Sequence, residues 1–257
     1  MEILQKIENG VCFLTLNRPA VFNSFNQTMA FQLQGALDAC ATDDSVRVVV
    51  IQGEGKAFCA GQDLAEATDP EGPELKSIVR EHYNPIIIKI RELEKPVIAA
   101  VNGVAAGAGA NIALACDIAI AKKSASFIQA FSKIGLIPDS GGTFFLPRLI
   151  GMQKALALMM TGDKVSAEEA EKLNMIYKVV QDDSFEEEIT KFAEHLAKMP
   201  TRGLGLTKKA VNLGLFNSLE DQLDVEERLQ TEAGETDDFA EGVNAFLHKR
   251  APQFKGK

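Results

Sequence analysis

Cysteine is scarce in this chain and has no pattern: Cys12, Cys40, Cys59 and Cys116 are the only four in 257 residues, without Cys-x-x-Cys spacing. A disulfide framework or thiol-rich metal site is therefore not expected, and each cysteine, set among apolar neighbours, reads as a small buried hydrophobe. Histidine is scarcer still. His82, His195 and His248 lack metal-ligand spacing, so no metal is expected, and none stands in a motif that would activate Cys59 as a nucleophile. Blocks of basic residues are missing too, since Lys122-Lys123 and Lys208-Lys209 are only pairs. With 27 Lys+Arg against 36 Asp+Glu the formal charge is −9. That balance speaks against a nucleic-acid partner, which needs a clustered basic footprint. An anionic ligand would have to be held by local donors. Tandem repeats and low-complexity stretches are absent, which removes solenoids and propellers.

One charge-free run has to be weighed as a membrane span: Pro96 to Cys116 contains Asn102-Gly103 and Asn111 and is mostly Ala and Gly. It reads as a buried strand, turn and helix rather than a membrane span, and no membrane partner is expected. The opening Met1-Glu2-Ile3-Leu4-Gln5-Lys6 has no apolar core of a signal peptide. Together with the reduced cysteines this points to a cytoplasmic location.

What is present is an ordinary globular balance, 46% hydrophobic and 25% charged, in a chain long enough for one large domain with an appendage. Val11 to Leu16 reads as a strand. Met29, Leu33, Leu37 and Cys40 fall on one stripe of a helix. Val46 to Ile51, Pro96 to Val101 and Asp117 to Ala121 read as further buried strands. Strands alternating with helices predict an α/β core. Ser166-x-x-Glu169 and Ser184-x-x-Glu187 have the form of capping boxes at helix starts. After residue 200 the pattern is helical, with stripes Leu206, Ala210, Leu213 and Phe239, Val243, Phe246, Leu247. The boundary is placed there: a core over 1–200 and a helical region over 201–257, packed either on a neighbouring subunit or on its own core.

Three loops carry the candidate chemistry. Gly107-Ala108-Gly109 follows a strand and opens a helix, but Ile112 replaces the third glycine of a dinucleotide fingerprint. No acid follows about twenty residues on, where Gln129 stands, so a nicotinamide dehydrogenase is disfavoured. Small residues at such a turn also let a ligand approach the amides of the helix start. An earlier loop, Gly53-Glu54-Gly55 through Gly61-Gln62-Asp63-Leu64 and so the first of the three in chain order, again follows a strand. One amide from each loop could grip one oxygen, as an oxyanion hole does, although for either loop alone a tight turn is the favoured reading. In the third loop, Asp139 lies between Pro138 and Gly141-Gly142. It reads either as a helix N-cap or as a carboxylate in an apolar pocket, with a raised pKa suited to proton transfer.

Phe58-Cys59-Ala60-Gly61-Gln62-Asp63-Leu64, Asn102-Gly103-Val104-Ala105-Ala106-Gly107-Ala108-Gly109 and Ile137-Pro138-Asp139-Ser140-Gly141-Gly142-Thr143 resemble, in order, the signature loops of the crotonase (enoyl-CoA hydratase/isomerase) superfamily. The likeness runs from Leu16-Asn17-Arg18-Pro19 to Pro252-Gln253-Phe254-Lys255-Gly256-Lys257. It implies an α/β spiral of ββα units with a C-terminal helical trimerisation region, hence a homotrimer or dimer of trimers. It also implies a coenzyme A thioester substrate and no separate cofactor. By the same resemblance the Ala60 and Ala108 amides hold the thioester oxygen. Phe22, Gly61, Gln62, Asp63, Leu64, Gly107, Asn111 and Phe131 would line the substrate. The two glutamates of the family's hydratases fall on Asn111 and Phe131, so hydration lacks its acid–base pair. Asn111 would then shape the pocket or hold a water and Phe131 keep it apolar, filler being the alternative for both. Asp139 alone remains, which suits isomerisation.

Val104 to Ala110, Ala130 to Asp139, Phe25 and Tyr83-Asn84-Pro85 are most similar to the family's ring-epoxide CoA isomerases of phenylacetate degradation, implying other enzymes of that route as partners. A general Δ3,Δ2-enoyl-CoA isomerase and a non-catalytic binding protein are the alternatives. Lys56 and Lys257 are candidate neighbours of the CoA phosphates, or simply solubilising.

Overall fold

A computed structural model describes residues 1–257. The chain opens with a hairpin of β1 (Ile3–Glu8) and β2 (Val11–Leu16), turned at Asn9-Gly10 with φ of 50° and 80°. Two successive positive φ values match the twist of antiparallel strands. α1 (Gln27–Thr42) follows, capped by Asn26, whose side chain accepts from the Met29 amide at 2.8 Å. Met29, Leu33, Leu37 and Cys40 are all buried, so the expected stripe is the inward face.

From β3 (Val48–Gly53) onward one unit recurs: a strand, a sharp turn, a second strand, then helix. β3 leads to β4 (Ala57–Cys59), then α2 (Leu64–Ala67), α3 (Leu75–Ser77), a π-helical turn over Ile78–Tyr83 and α4 (Asn84–Glu92). β5 (Val97–Val101) leads to β6 (Val104–Ala106) and α5 (Ala108–Ala115). β7 (Ile118–Lys122) leads to β8 (Ser126–Ile128), a 3-10 turn over Ala130–Ile134, α6 (Gly142–Ile150) and α7 (Met152–Thr161). β9 (Lys164–Ser166), α8 (Ala167–Lys172), β10 (Lys178–Val180) and α9 (Phe185–Ala197) close the core. The first strands of the units, with β1, β2 and β10, form one sheet in the order β1-β2-β3-β5-β7-β10; the second strands, with β9, form another in the order β4-β6-β8-β9. This is the α/β spiral of ββα units, followed by a helical region of α10 (Thr201–Gly214), α11 (Leu219–Gly234) and α12 (Asp237–Leu247).

The uninterrupted apolar run of β3 has a simple cause, since both faces of the larger sheet are covered. Val48 and Val50 pack with Ile98 and Ala100 under Phe185, Ile189 and Ala193 of α9. Val49 and Ile51 face the main core with Met29, Leu33 and Phe58. The charge-free Pro96–Cys116 run is β5, β6 and α5, and no helix is long and apolar enough to cross a membrane. All four cysteines are buried and unpaired.

Three local expectations change. The Ser166 hydroxyl does accept from the Glu169 amide at 3.2 Å. Ser184 does not cap: its hydroxyl turns back to the Gln181 carbonyl at 3.4 Å. Asp139 is not an N-cap either, because α6 begins at Gly142 and Gly141 fills the cap position. The α12 stripe points outward, with Phe239 55% and Phe246 83% exposed, so it is no cap on its own core.

Candidate active site

The β3–β4 and β5–β6 turns are locked together before any ligand is considered. Asn102 accepts from the Gly53 amide at 3.0 Å and donates to the Gly55 carbonyl at 3.0 Å. A Cβ on Gly103 would stand 2.1 Å from the Lys56 carbonyl, so only glycine permits this approach. Farther along, a Cβ on Gly109 would meet the Cys59 carbonyl at 2.4 Å. Gly61 adopts φ +97°, and its missing Cβ would lie 3.5 Å from the Ala108 nitrogen. The first loop thus lies against the N-terminus of α5, as the two-loop reading requires.

Of the two amides expected to hold the thioester oxygen, one is free of partners in the chain and the other is not. Ala108 is the first residue of α5, where an amide has no intrahelical acceptor, and its N–H meets no other acceptor in the chain. The Ala60 N–H is spent on the Phe22 carbonyl at 3.0 Å. Gln62 holds the available first-loop amide instead. Phe25 bridges to Gln62, donating to the Gly61 carbonyl at 2.7 Å and accepting from the Asp63 amide at 2.8 Å. That pairing uses the Gly61 carbonyl and the Asp63 N–H and leaves the Gln62 N–H unbonded.

The side chains expected to line the substrate divide. Gln62 is committed within the chain, accepting from the Tyr83 hydroxyl at 2.8 Å and donating to Glu66 at 3.1 Å. Asp63 is structural: one oxygen caps α2 through the Ala65 amide at 3.0 Å, and the other pairs with Arg18 at 2.8 Å. Phe22 and Leu64 are exposed at 56% and 55%. Phe131 is buried, its ring 3.8 Å from where a Cβ of Gly107 would stand. It therefore walls the second loop. Lys56 stands in the first loop, whereas Lys257 pairs with Asp44 at 3.1 Å. Asp44 precedes β3, at the end of the sheet away from the loops.

The third loop is fastened by its main chain. The Asp139 carbonyl accepts from the Gly142 amide and from the Asn111 side chain, both at 2.8 Å. Asn111 in turn accepts from Gln129 at 2.8 Å. Asn111 is wholly buried and holds the carboxylate-bearing loop. The Asp139 carboxylate is half-buried and accepts from the Ser140 hydroxyl at 2.9 Å. Burial raises its pKa, while that hydrogen bond pulls the other way. Cys59 is a poor nucleophile, burial pushing its thiol up to about 12.

Sequence reasoning missed Tyr83, Gln129 and Ser140. Tyr83 is wholly buried and sits edge-on to Phe25, with centroids 5.8 Å apart. Burial first, and then nearby acidic groups including Asp139, keep its phenol protonated. It ends a π-helical turn, a feature frequent at functional sites. The one legible signal for Gln129 was a lone amide in the apolar run Phe127-Ile128-Gln129-Ala130-Phe131.

A family model for enoyl-CoA hydratase/isomerase matches residues 6–257. The chain belongs to the enoyl-CoA hydratase/isomerase family. Among its relatives, the 1,2-epoxyphenylacetyl-CoA isomerase of Escherichia coli (strain K12) is 50% identical over 99% of this chain and 98% of its own. A protein of Rhodobacter capsulatus named "Probable enoyl-CoA hydratase" is 46% identical over 99% of this chain and 98% of its own. The crystal structure of an enoyl-CoA hydratase from Bacillus anthracis superposes with a TM-score of 0.93 at 35% identity, covering 100% of both chains. Isomerases and hydratases of the family thus both stand near this chain.

Proposed function

We propose that the protein is an acyl-CoA isomerase rather than a hydratase. One observation carries the reading: Asp139 is the one carboxylate of the three loops that is half-buried and claimed by no cation or helix start, Glu54 being exposed. Asp63 is tied to Arg18 and the start of α2, Glu66 to the Gln27 amide and Gln62. The positions a hydratase would use hold Asn111, bound to the Asp139 carbonyl, and Phe131. Adding water needs two proton-handling groups; moving a proton needs one.

In this reading Asp139 takes a proton from the carbon next to the thioester carbonyl. Negative charge develops on the thioester oxygen, where the Ala108 and Gln62 amides stabilise it without reorganising. Asp139 returns the proton to a carbon farther along, so a β,γ double bond comes into conjugation and the atoms balance. The name of the Escherichia coli relative favours 2-(1,2-epoxy-1,2-dihydrophenyl)acetyl-CoA as substrate, opening to the seven-membered oxepin-CoA. The alternative is a Δ3,Δ2-enoyl-CoA isomerase acting on aliphatic chains only. Turnover of both substrate types by wild type and Asp139→Asn tests the reading. The variant should lose about 100-fold or more on whichever substrate is accepted, the usual scale for a general acid–base group. Undiminished turnover would remove Asp139 from the mechanism.

We further read the chain as assembling into a homotrimer or dimer of trimers. Support comes from the outward apolar side chains Leu219, Leu223, Phe239, Phe246 and Leu247 of α11 and α12.

A further inference from the structure

Ser140 occupies a backbone position that its side chain does not suit. Its φ is +51°, in the left-handed region that L side chains rarely adopt, and Gly141 and Gly142 follow, Gly141 at φ +74°. Backbone geometry alone would favour glycine at both Ser140 and Gly141. The hydroxyl is also buried, the residue being 1% exposed, and burial without a partner would be a further cost. The partner it has is the Asp139 Oδ1, at 2.9 Å. Everything around the pair is fixed, since the Asp139 carbonyl is held by Asn111 and Gly142. The remaining freedom is rotation of the carboxylate, and the Ser140 hydroxyl removes it.

Resting on the reading of Asp139 as the proton-transfer group, we propose that Ser140 is its positioning residue. The hydroxyl donates to Oδ1, fixes the carboxylate plane and leaves Oδ2 as the oxygen that takes and returns the substrate proton. The left-handed strain is borne for this hydrogen bond. A donor to a carboxylate favours its ionised form, which offsets part of the effect of burial on Asp139. Asp139 must be ionised to act as base, so activity is lost as pH falls through its pKa. Removing the hydroxyl raises that pKa and moves the acid limb to higher pH.

The test compares Ser140→Gly, Ser140→Ala and Asp139→Asn with wild type, on an aliphatic 3-enoyl-CoA and on the ring epoxide thioester, using whichever is turned over. Three readouts are taken: thermal midpoint, kcat and KM separately, and kcat/KM against pH. Ser140→Gly should melt no lower than wild type, because the strain is gone, while kcat falls about tenfold with KM within about twofold. Both Ser140 variants should show the acid limb displaced upward. A structural role alone would lower the midpoint and leave the limb in place. If Asp139→Asn is inactive while Ser140→Gly keeps wild-type kcat and acid limb, Ser140 is not a positioning residue. If Asp139→Asn remains active, the reading of Asp139 fails, and this assignment with it.

Discussion

At the scale of single residues, the site depends on where backbone amides point. Ala108 stands at the first helical position of α5, where proline is favoured and no intrahelical bond is lost. Ala108→Pro therefore deletes a proposed oxyanion donor with little expected effect on the fold. Removing such a donor costs on the order of 100- to 1,000-fold in kcat, and steady-state kinetics beside a thermal melt would show whether activity falls while the midpoint holds. The same substitution at Ala60 would be less informative, since the Ala60 amide holds the Phe22 carbonyl at 3.0 Å. The sequence places the first loop correctly but not which of its amides turns to the site. That choice depends on the pairing of Phe25 with Gln62, a contact made by a residue 37 positions away. Ser140 was equally hidden, because a positive φ at serine has no signature in composition or spacing.

At the scale of elements, strands and helices were legible wherever periodicity reports burial, as in Val11 to Leu16 and the inward stripe of α1. Tyr83 was not, because a π-helical turn over Ile78–Tyr83 adds a residue that a 3.6-residue period does not anticipate. The helix that presents Ala108 is seated by close packing. A methyl on Gly109 would stand 2.4 Å from the Cys59 carbonyl and 2.7 Å from its sulfur. Gly109→Ala should cost about 1–3 kcal/mol through overpacking. By tilting α5 away from the first loop it should also lower kcat/KM by at least tenfold. Gly35→Ala in α1, where the new methyl meets nothing within 4 Å, is the control. It should stabilise by about 0.5–1 kcal/mol and leave activity alone. Denaturant melts and kinetics on the two variants separate helix seating from a general glycine effect.

At the scale of the whole molecule, the helical region is fastened to the core by charge. Arg47 reaches the Met199 carbonyl, the Thr201 hydroxyl at 2.7 Å and the Phe254 carbonyl at 2.9 Å. Lys208 of α10 pairs with Asp117, next to β7, at 2.8 Å. These ties leave the α11–α12 face outward, and an exposed apolar face of this kind marks an interaction surface. If it joins copies of the chain, Phe246→Glu, at a side chain 83% exposed, should keep the fold and release smaller species. Light scattering on the eluting protein would reveal the change in mass, and an unchanged mass would argue against that face as the contact. The sequence showed the stripe but not its direction, since an amphipathic helix reads alike whether its own core or a neighbour covers it.

The central claim is that Asp139 moves the proton beside the thioester. The most direct measurement follows solvent deuterium into that position of a 3-enoyl-CoA or ring-epoxide thioester in heavy water, together with formation of the conjugated product, for wild type and Asp139→Asn. Wild type should form conjugated product, with or without deuterium according to how well the carboxylate is shielded, and Asp139→Asn should give neither product nor exchange. Wild-type rates of both in the variant would contradict the account.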